Sequence, residues 1–224
     1  MSAAAALTGS QGMWFVSRAS GLTLLAAFTA VLVLGAAARM GSAPRRLPRF
    51  VFGELHRALA LFSVAFLVLH VVTALLDPYV TIGWAAAVLP FTSAYRTLAI
   101  GLGTLAVDFG GAVLLTSLAR ARLGFRAWRA VHWLAYLAWP AAFAHSLTAG
   151  NDLRVWWVAL IEWWCGLAAA TAVVARIGYA IKHRRTAARP AVVAPAPPAG
   201  SAGRPDQEPA DRTRGNRTGE RSHL

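Results

Sequence analysis

The sequence has one cysteine, Cys165, and few carboxylates: nine Asp and Glu residues stand against 22 Lys and Arg. A single cysteine excludes an intramolecular disulfide and any CxxC metal-binding or redox motif. We expect Cys165 to be a packing residue. The first dozen residues lack the basic cluster that precedes a cleavable signal, so we expect the first apolar run to be retained.

Long apolar runs dominate the chain, which is 57% hydrophobic with a mean hydropathy of +0.51. Several runs reach the roughly 20 residues that a transmembrane helix needs. They predict an all-α, polytopic membrane protein, a bundle of about five transmembrane helices. The predicted spans are residues 14–38, 54–76, 97–118, 130–149 and 155–181. Residues 1–13 then form a short N-terminus, residues 14–181 the membrane domain, and residues 182–224 a disordered tail rich in Pro, Gly and charge.

The net charge of +13 is distributed as in a membrane protein rather than a nucleic-acid-binding protein. Four arginines lie between the first two runs, four more lie at residues 120–129, and the segment after the fifth run begins with Lys182, Arg184 and Arg185. Positive loops favour the cytoplasmic side. The sequence therefore predicts a multi-pass protein of the cell membrane, in contact with the lipid bilayer, with its N-terminus outside and its C-terminus in the cytoplasm.

Four of the six histidines lie in the second and fourth apolar runs. His56 and His70 are 14 residues apart, and His132 and His145 are 13 apart. At about 1.5 Å per residue, each spacing corresponds to roughly 20 Å along a helix. Because both runs cross the membrane in the same direction, His56 and His132 share the cytoplasmic level, while His70 and His145 share the outer level.

The phase of the second pair is a difficulty for this interpretation. A regular helix brings His56 and His70 to within about 40° of one face, but it leaves His145 about 140° from His132. Pro140 lies between the latter two and interrupts the hydrogen-bond ladder. A tighter local turn near Pro140 is needed to bring the two imidazoles onto one face.

Histidines paired at two depths predict two haem groups, each held by one imidazole from each of two helices. Polar side chains at such depths are energetically costly and usually functional. The simpler alternative is four isolated histidines, each hydrogen-bonded to a neighbour. A zinc site is disfavoured because the two pairs are too far apart to share one ion.

The segments ELHRALALFSVAFLVLH and RAWRAVHWLAYLAWP, with their spacings His56-x13-His70 and His132-x12-His145, resemble the ferric reductase-like transmembrane domain. The resemblance covers about residues 14–181. It implies two b-type haems, the inner one on His56 and His132 and the outer one on His70 and His145, with electrons flowing outward. The chain has one predicted helix fewer than the six-helix members. Its tail lacks the Gly-rich βαβ pattern of their flavin domain, so a flavin is expected only on a partner.

Four arginines are candidate partners of haem propionates, because a guanidinium group matches a carboxylate well. Arg57 and Arg129 lie beside the inner ligands, while Arg18 and Arg96 lie at outer helix ends, where basic residues are scarce. For Arg57 and Arg129 the alternative is that they anchor the chain at the cytoplasmic interface.

Two carboxylates, Asp108 and Glu162, lie at membrane depth, where such groups are usually paired. Glu162 is near the level of the outer histidines, which suggests that it orients a ligand imidazole or carries protons. The alternative is a neutral, hydrogen-bonded acid.

The sequence therefore predicts an oxidoreductase component that moves electrons across the membrane through two stacked b-type haems. The expected donor is a separate flavoprotein or a quinol, and the expected acceptor is extracytoplasmic. Two other functions stay open. One is a quinol-oxidising cytochrome b subunit that feeds a partner redox protein, and the other is a haem-free membrane anchor or assembly subunit.

Overall fold

The computed structural model describes residues 10–40, 49–77, 80, 82–150 and 155–187, and its secondary structure in these ranges is helical. The helices are α1 (Ser10–Met40), α2 (Arg49–Leu75), α3 (Thr97–Leu118), α4 (Arg120–His132), α5 (Ala135–Ala149) and α6 (Trp156–Ala187), with a short 3-10 helix at Trp84–Ala87. The predicted all-α fold is confirmed.

Four helical segments are long and apolar enough to cross a membrane. They are Gly12–Met40, Phe50–Leu75, Thr97–Leu118 and Trp156–His183. Each of them contains most of one predicted span. Large apolar side chains such as Leu61, Leu115 and Leu167 are more than half exposed on these helices, as expected where lipid covers the surface. The chain is a membrane protein.

The boundaries predicted for residues 120–149 are wrong. The predicted basic loop at 120–129 is helical and belongs to α4, which bends at Gly124 (φ 76°) and ends at His132. Arginine, alanine and leucine are good helix formers, so the charge of this segment did not prevent a helix. The predicted span at 130–149 is not one helix, because α5 begins only at Ala135 and has 15 residues.

The backbone winds more tightly where α4 gives way to α5. Trp133, Leu134, Tyr136 and Leu137 each donate their N–H to the carbonyl three residues earlier, at 2.9–3.3 Å. A 3-10 helix turns about 20° more per residue than an α-helix, so four such residues recover roughly 80° of the missing 140° of phase. The tight turn therefore supplies about half of the phase that the second histidine pair needs.

The tight turn precedes Pro140 rather than surrounding it. Pro140 lies inside α5 and has no N–H to offer the carbonyl of Tyr136, four residues earlier. The carbonyl next to the tightly wound stretch therefore has no regular helical partner. This missing bond is a physical reason for the departure from α-helical winding at this point.

The helices associate as two antiparallel pairs, α1 with α2 and α3 with α5, and α1 also contacts α5. Side chains from α1, α5 and α6 form the buried core, which consists of Leu25, Leu32, Ala36, Trp139, Cys165, Ala169 and Ala172. A hydrogen bond crosses this core, from Trp139 Nε1 of α5 to Thr29 Oγ1 of α1 at 2.9 Å. Cys165 is buried here, as expected of a packing residue.

The segment between α2 and α3 folds back onto α3. Thr104 Oγ1 donates a hydrogen bond to the carbonyl of Ala86 at 2.6 Å, and the ring of Phe91 occupies the space beside Gly101. Trp84, Phe91 and Tyr95 are exposed, as aromatic side chains often are at a membrane–water interface.

Several sequence predictions lie outside the described residues. These are the N-terminal residues 1–9, two of the four arginines between the first two runs (Arg45 and Arg46), and the tail beyond residue 187. At the predicted boundary between membrane domain and tail, α6 continues past residue 181 to Ala187.

The hydrogen bond between Trp139 and Thr29 leads to a prediction about the stability of the bundle. Replacing Trp139 with Phe keeps an aromatic ring but leaves Thr29 Oγ1 without its donor. We expect each of Trp139→Phe and Thr29→Val to destabilise the bundle by about 1 kcal/mol, the usual contribution of one interhelical hydrogen bond. Reversible unfolding in detergent measures this, with the exposed Trp163→Phe as the matched control. If the two effects are fully additive in the double variant, the bond does not link the helices.

Candidate functional site: paired histidines in a membrane cavity

The four histidines line one cavity of about 960 Å³ within the bundle. Side chains from α1 to α6 form its wall, and most of that wall is apolar. His56 and His70 enter from α2, His132 from the end of α4, and His145 from α5. The tight 3-10 turn that follows His132 helps to direct the side chains of His132 and His145 toward α2.

The imidazoles face each other in two pairs. The ring centroids of His56 and His132 are 6.4 Å apart, and those of His70 and His145 are 6.1 Å apart. The ring planes in these pairs are inclined by 57° and 76°. The structure thus brings together, at two levels, the same pairs that the sequence grouped.

These separations suit a metal ion bound between two imidazoles. A first-row metal ion binds an imidazole nitrogen at about 2.0–2.1 Å, and each ring centroid lies about 1 Å behind that nitrogen, so two such ligands place their centroids about 6 Å apart. Among the described residues, no group of three or more His, Cys, Asp or Glu side chains is placed to hold a metal ion. Each pair therefore offers two axial ligands, the number that a low-spin haem takes from a protein.

Three of the four imidazoles are oriented by the backbone of a neighbouring helix. His56 Nδ1 lies 3.0 Å from the carbonyl oxygen of Val31, and His70 Nδ1 lies 2.8 Å from that of Ser17. His145 Nδ1 lies 2.7 Å from the carbonyl oxygen of Ala99. Since a carbonyl only accepts, Nδ1 carries the proton in each ring, and the lone pair is left on Nε2. That is the tautomer a metal-binding histidine needs.

His132 is held in another way. Its Nδ1 is buried and has no hydrogen-bond partner among the described residues. Instead, the ring of Trp128 packs on its imidazole, with centroids 4.9 Å apart, and the guanidinium of Arg120 lies 4.4 Å from the Trp128 ring. Trp128 Nε1 donates to Ser117 Oγ at 3.2 Å. A tilted aromatic contact thus supports this imidazole, where a carbonyl supports the others.

The candidate propionate arginines do not all reach the cavity. Arg18 and Arg57 line it. Arg96 instead donates to the carbonyl of Thr148 at 3.1 Å, and Arg129 lies 5.5 Å from the ring of Phe125. Arg120, which the sequence did not single out, lines the inner part of the cavity.

Glu162 lies buried at the outer part of the cavity, with 2% of its surface exposed. Its Oε1 accepts a hydrogen bond from Ser146 Oγ at 2.5 Å, whereas Oε2 is buried without a partner among the described residues. Glu162 therefore bonds the residue next to His145 and not a histidine. The histidine Nδ1 atoms that have partners donate to backbone carbonyls.

Asp108 is half-buried and lies outside the cavity lining. Trp163 and Trp164 are more than half exposed, so they face lipid.

Comparison with known families gives a match over much of the chain. Residues 20–143, more than half of the chain, match the family model described as ferric reductase like transmembrane component. The chain belongs to this ferric reductase-like family. The match includes His56, His70 and His132 and ends two residues before His145. No curated protein and no solved structure matches the chain. Domains of this family generally bind haem, and membership suggests transmembrane electron transfer.

The sequence reasoning missed the groups that support the ligands. The acceptor carbonyls belong to Ser17, Val31 and Ala99. A backbone carbonyl leaves no mark on a sequence, so residue identity could not reveal these three. Trp128, by contrast, precedes His132 by four residues, the spacing at which side chains meet on a helix, and that signal was available.

Proposed function

We propose that this protein carries single electrons across the membrane through two b-type haems. His56 and His132 hold the inner haem, and His70 and His145 hold the outer one. The observation that carries the proposal is the pair of facing imidazoles at each of two levels, 6.4 and 6.1 Å between centroids, in one membrane cavity. Family membership supports it independently.

The ligands are prepared for this role by their hydrogen bonds. Haem supplies an iron that takes up and releases one electron. Val31, Ser17 and Ala99 fix the imidazole protons on Nδ1 of their histidines, so that Nε2 is free to bind. The same bonds would raise the basicity of the imidazoles and limit their rotation, so that the side chains would stay in place when a bound haem is reduced.

Electron transfer across the membrane needs haems at two levels, because the hydrocarbon core is about 30 Å thick. The 14 residues between His56 and His70 correspond to about 21 Å along α2, so the levels divide the membrane into shorter steps. Arg18 and Arg57 line the cavity at its outer and inner levels. We assign them to the haem propionates, because a guanidinium group beside a buried carboxylate offsets much of its cost in the membrane. For Arg96 and Arg129 this role stays a prediction.

The charge distribution supports an outward direction of electron transfer. Because positive charge favours the cytoplasmic side, the arginine-rich segments after α1, before His132 and at the end of α6 support a cytoplasmic C-terminus. We therefore propose a cytoplasmic flavoprotein or a membrane quinol as the donor and an extracytoplasmic molecule as the acceptor. The family model describes a transmembrane component, and we assign any flavin to a partner protein.

Single ligand replacements test the assignment of ligands to levels. We expect His70→Ala to remove the outer haem and His56→Ala to remove the inner one, because each level has only two histidines among the described residues. In each case the haem-to-protein ratio falls to half its wild-type value, and the remaining b-type α-band keeps its potential. Pyridine haemochrome assays and redox titration of the purified protein measure both quantities.

The control for this experiment is His183→Ala, because His183 lies near the end of α6 and packs on Tyr179, away from the cavity. Its haem content stays at the wild-type level. A wild-type protein without a dithionite-reduced b-type band would contradict the function itself. Equal loss of both haems in His70→Ala and His56→Ala would contradict the pairing.

Thiol labelling tests the orientation. Cys165→Ser gives a cysteine-free background, into which Ser2→Cys or Ser201→Cys is introduced. We expect a membrane-impermeant maleimide to label the first in intact cells and the second only after the membrane is opened. Labelling of Ser201→Cys in intact cells would reverse the proposed direction of electron transfer.

A further inference from the structure

We infer that Gly21, Gly35 and Gly103 are positioning residues that seat three of the haem-binding imidazoles against a helix backbone. Each glycine leaves a gap that one imidazole fills: His70 at Gly21, His56 at Gly35 and His145 at Gly103. The inference rests on the proposed function, since it assigns the glycines to its ligands.

The clearances leave no room for a side chain. A Cβ on Gly21 would lie 2.9 Å from Cε1 and 3.0 Å from Nδ1 of His70, and one on Gly103 would lie 2.8 Å from Nδ1 of His145. On Gly35 the nearest atom is Cε1 of His56 at 3.2 Å. An alanine at Gly21 or Gly103 therefore forces the imidazole to move, and one at Gly35 forces a smaller shift.

The hydrogen bonds of the three histidines support the inference independently of these clearances. The carbonyl that accepts from each histidine lies four residues before the glycine, as Ser17 precedes Gly21 and Val31 precedes Gly35. The third example is Ala99, which precedes Gly103. The arrangement thus occurs three times, on two different helices.

The geometry of an α-helix explains the four-residue spacing. Every Cα–Cβ bond tilts toward the N-terminus, so a side chain covers the turn before its own Cα. A side chain four residues after a carbonyl would shield that carbonyl from a lateral donor, and glycine leaves it open. A glycine within a helix costs about 1 kcal/mol relative to alanine, and at these positions it gives the imidazole access.

The spacing along α1 matches the spacing along α2. Gly21 and Gly35 are 14 residues apart, as are His56 and His70, and the helices run antiparallel. On α3, the residue 14 positions after Gly103 is Ser117 rather than glycine. His132, the ligand at that level, has no partner for Nδ1 among the described residues. Where the glycine is missing, the hydrogen bond is missing as well.

The experiment compares Gly21→Ala, Gly35→Ala and Gly103→Ala in the full-length protein purified with its haems. We expect Gly21→Ala and Gly103→Ala to weaken retention of the outer haem by about 10- to 100-fold, the loss that follows when a ligand's supporting partner is disturbed. The low-spin EPR signal of the outer haem shifts or disappears, and that of the inner haem stays. Gly35→Ala affects the inner haem alone, and by less than about tenfold, because its clearance is larger.

Other glycines of the same chain provide matched controls. A Cβ on Gly178 or Gly53 would meet nothing within 4 Å, so Gly178→Ala and Gly53→Ala keep both signals. Gly166 has a clearance like that of Gly35, but its neighbour is Phe143 Cζ at 3.1 Å. We expect Gly166→Ala to alter thermal stability without changing either EPR signal.

The outcomes separate the two proposals. If the wild type holds two b-type haems and Gly21→Ala and Gly103→Ala leave the outer signal and its haem retention unchanged, the inference is wrong while the function stands. Loss of both haems in the Gly166 and Gly178 variants as well would also overturn it, because any glycine would then have the same effect. A wild type without b-type haem overturns the proposed function first.

Discussion

The hydrogen bond from an imidazole Nδ1 to a helix carbonyl is the interaction on which this bundle depends. It fixes the histidine tautomer, and it also fixes the register of the helices that carry the two groups. Sliding α2 by one residue along α1 would move His70 by about 1.5 Å and rotate it by about 100°, away from the carbonyl of Ser17. The bond at His56 imposes the same register 14 residues away. The same hydrogen bonds therefore set both the packing of α1 against α2 and the orientation of His56 and His70.

The sequence predicted what hydropathy and side-chain identity determine: four of the spans, the pairing of histidines and the family. It did not predict the extent of α4, because the arginines that indicated a loop are also good helix formers. The phase of His145 depended on 3-10 winding between residues 130 and 137, and periodicity assumes regular helices. The 14-residue interval from Gly21 to Gly35 was visible, but it gained meaning only once α1 was known to lie along α2.

The two levels are not equivalent. At the outer level both imidazoles donate to carbonyls, which makes both more electron-rich ligands. At the inner level only His56 does so, and His132 lies under Trp128 and the positive charge of Arg120. Arginines line the cavity at both levels, Arg18 at the outer and Arg57 and Arg120 at the inner, so nearby positive charge does not distinguish the levels. In the proposed function, the less basic ligand at the inner level would give the inner haem the higher potential.

In the proposed function, this difference would oppose outward electron transfer, so another contribution would have to offset it. The cytoplasmic side of an energised membrane is negative, and outward movement of an electron across the full potential releases about 2.3 kcal/mol per 100 mV. The step between levels spans about 21 of the roughly 30 Å of the hydrocarbon core, so it captures most of that energy. A membrane potential would therefore act in the outward direction that we propose from the arginine distribution. In the proposed function, an electron at the inner level would be moved outward by the field rather than by a downhill pair of ligands.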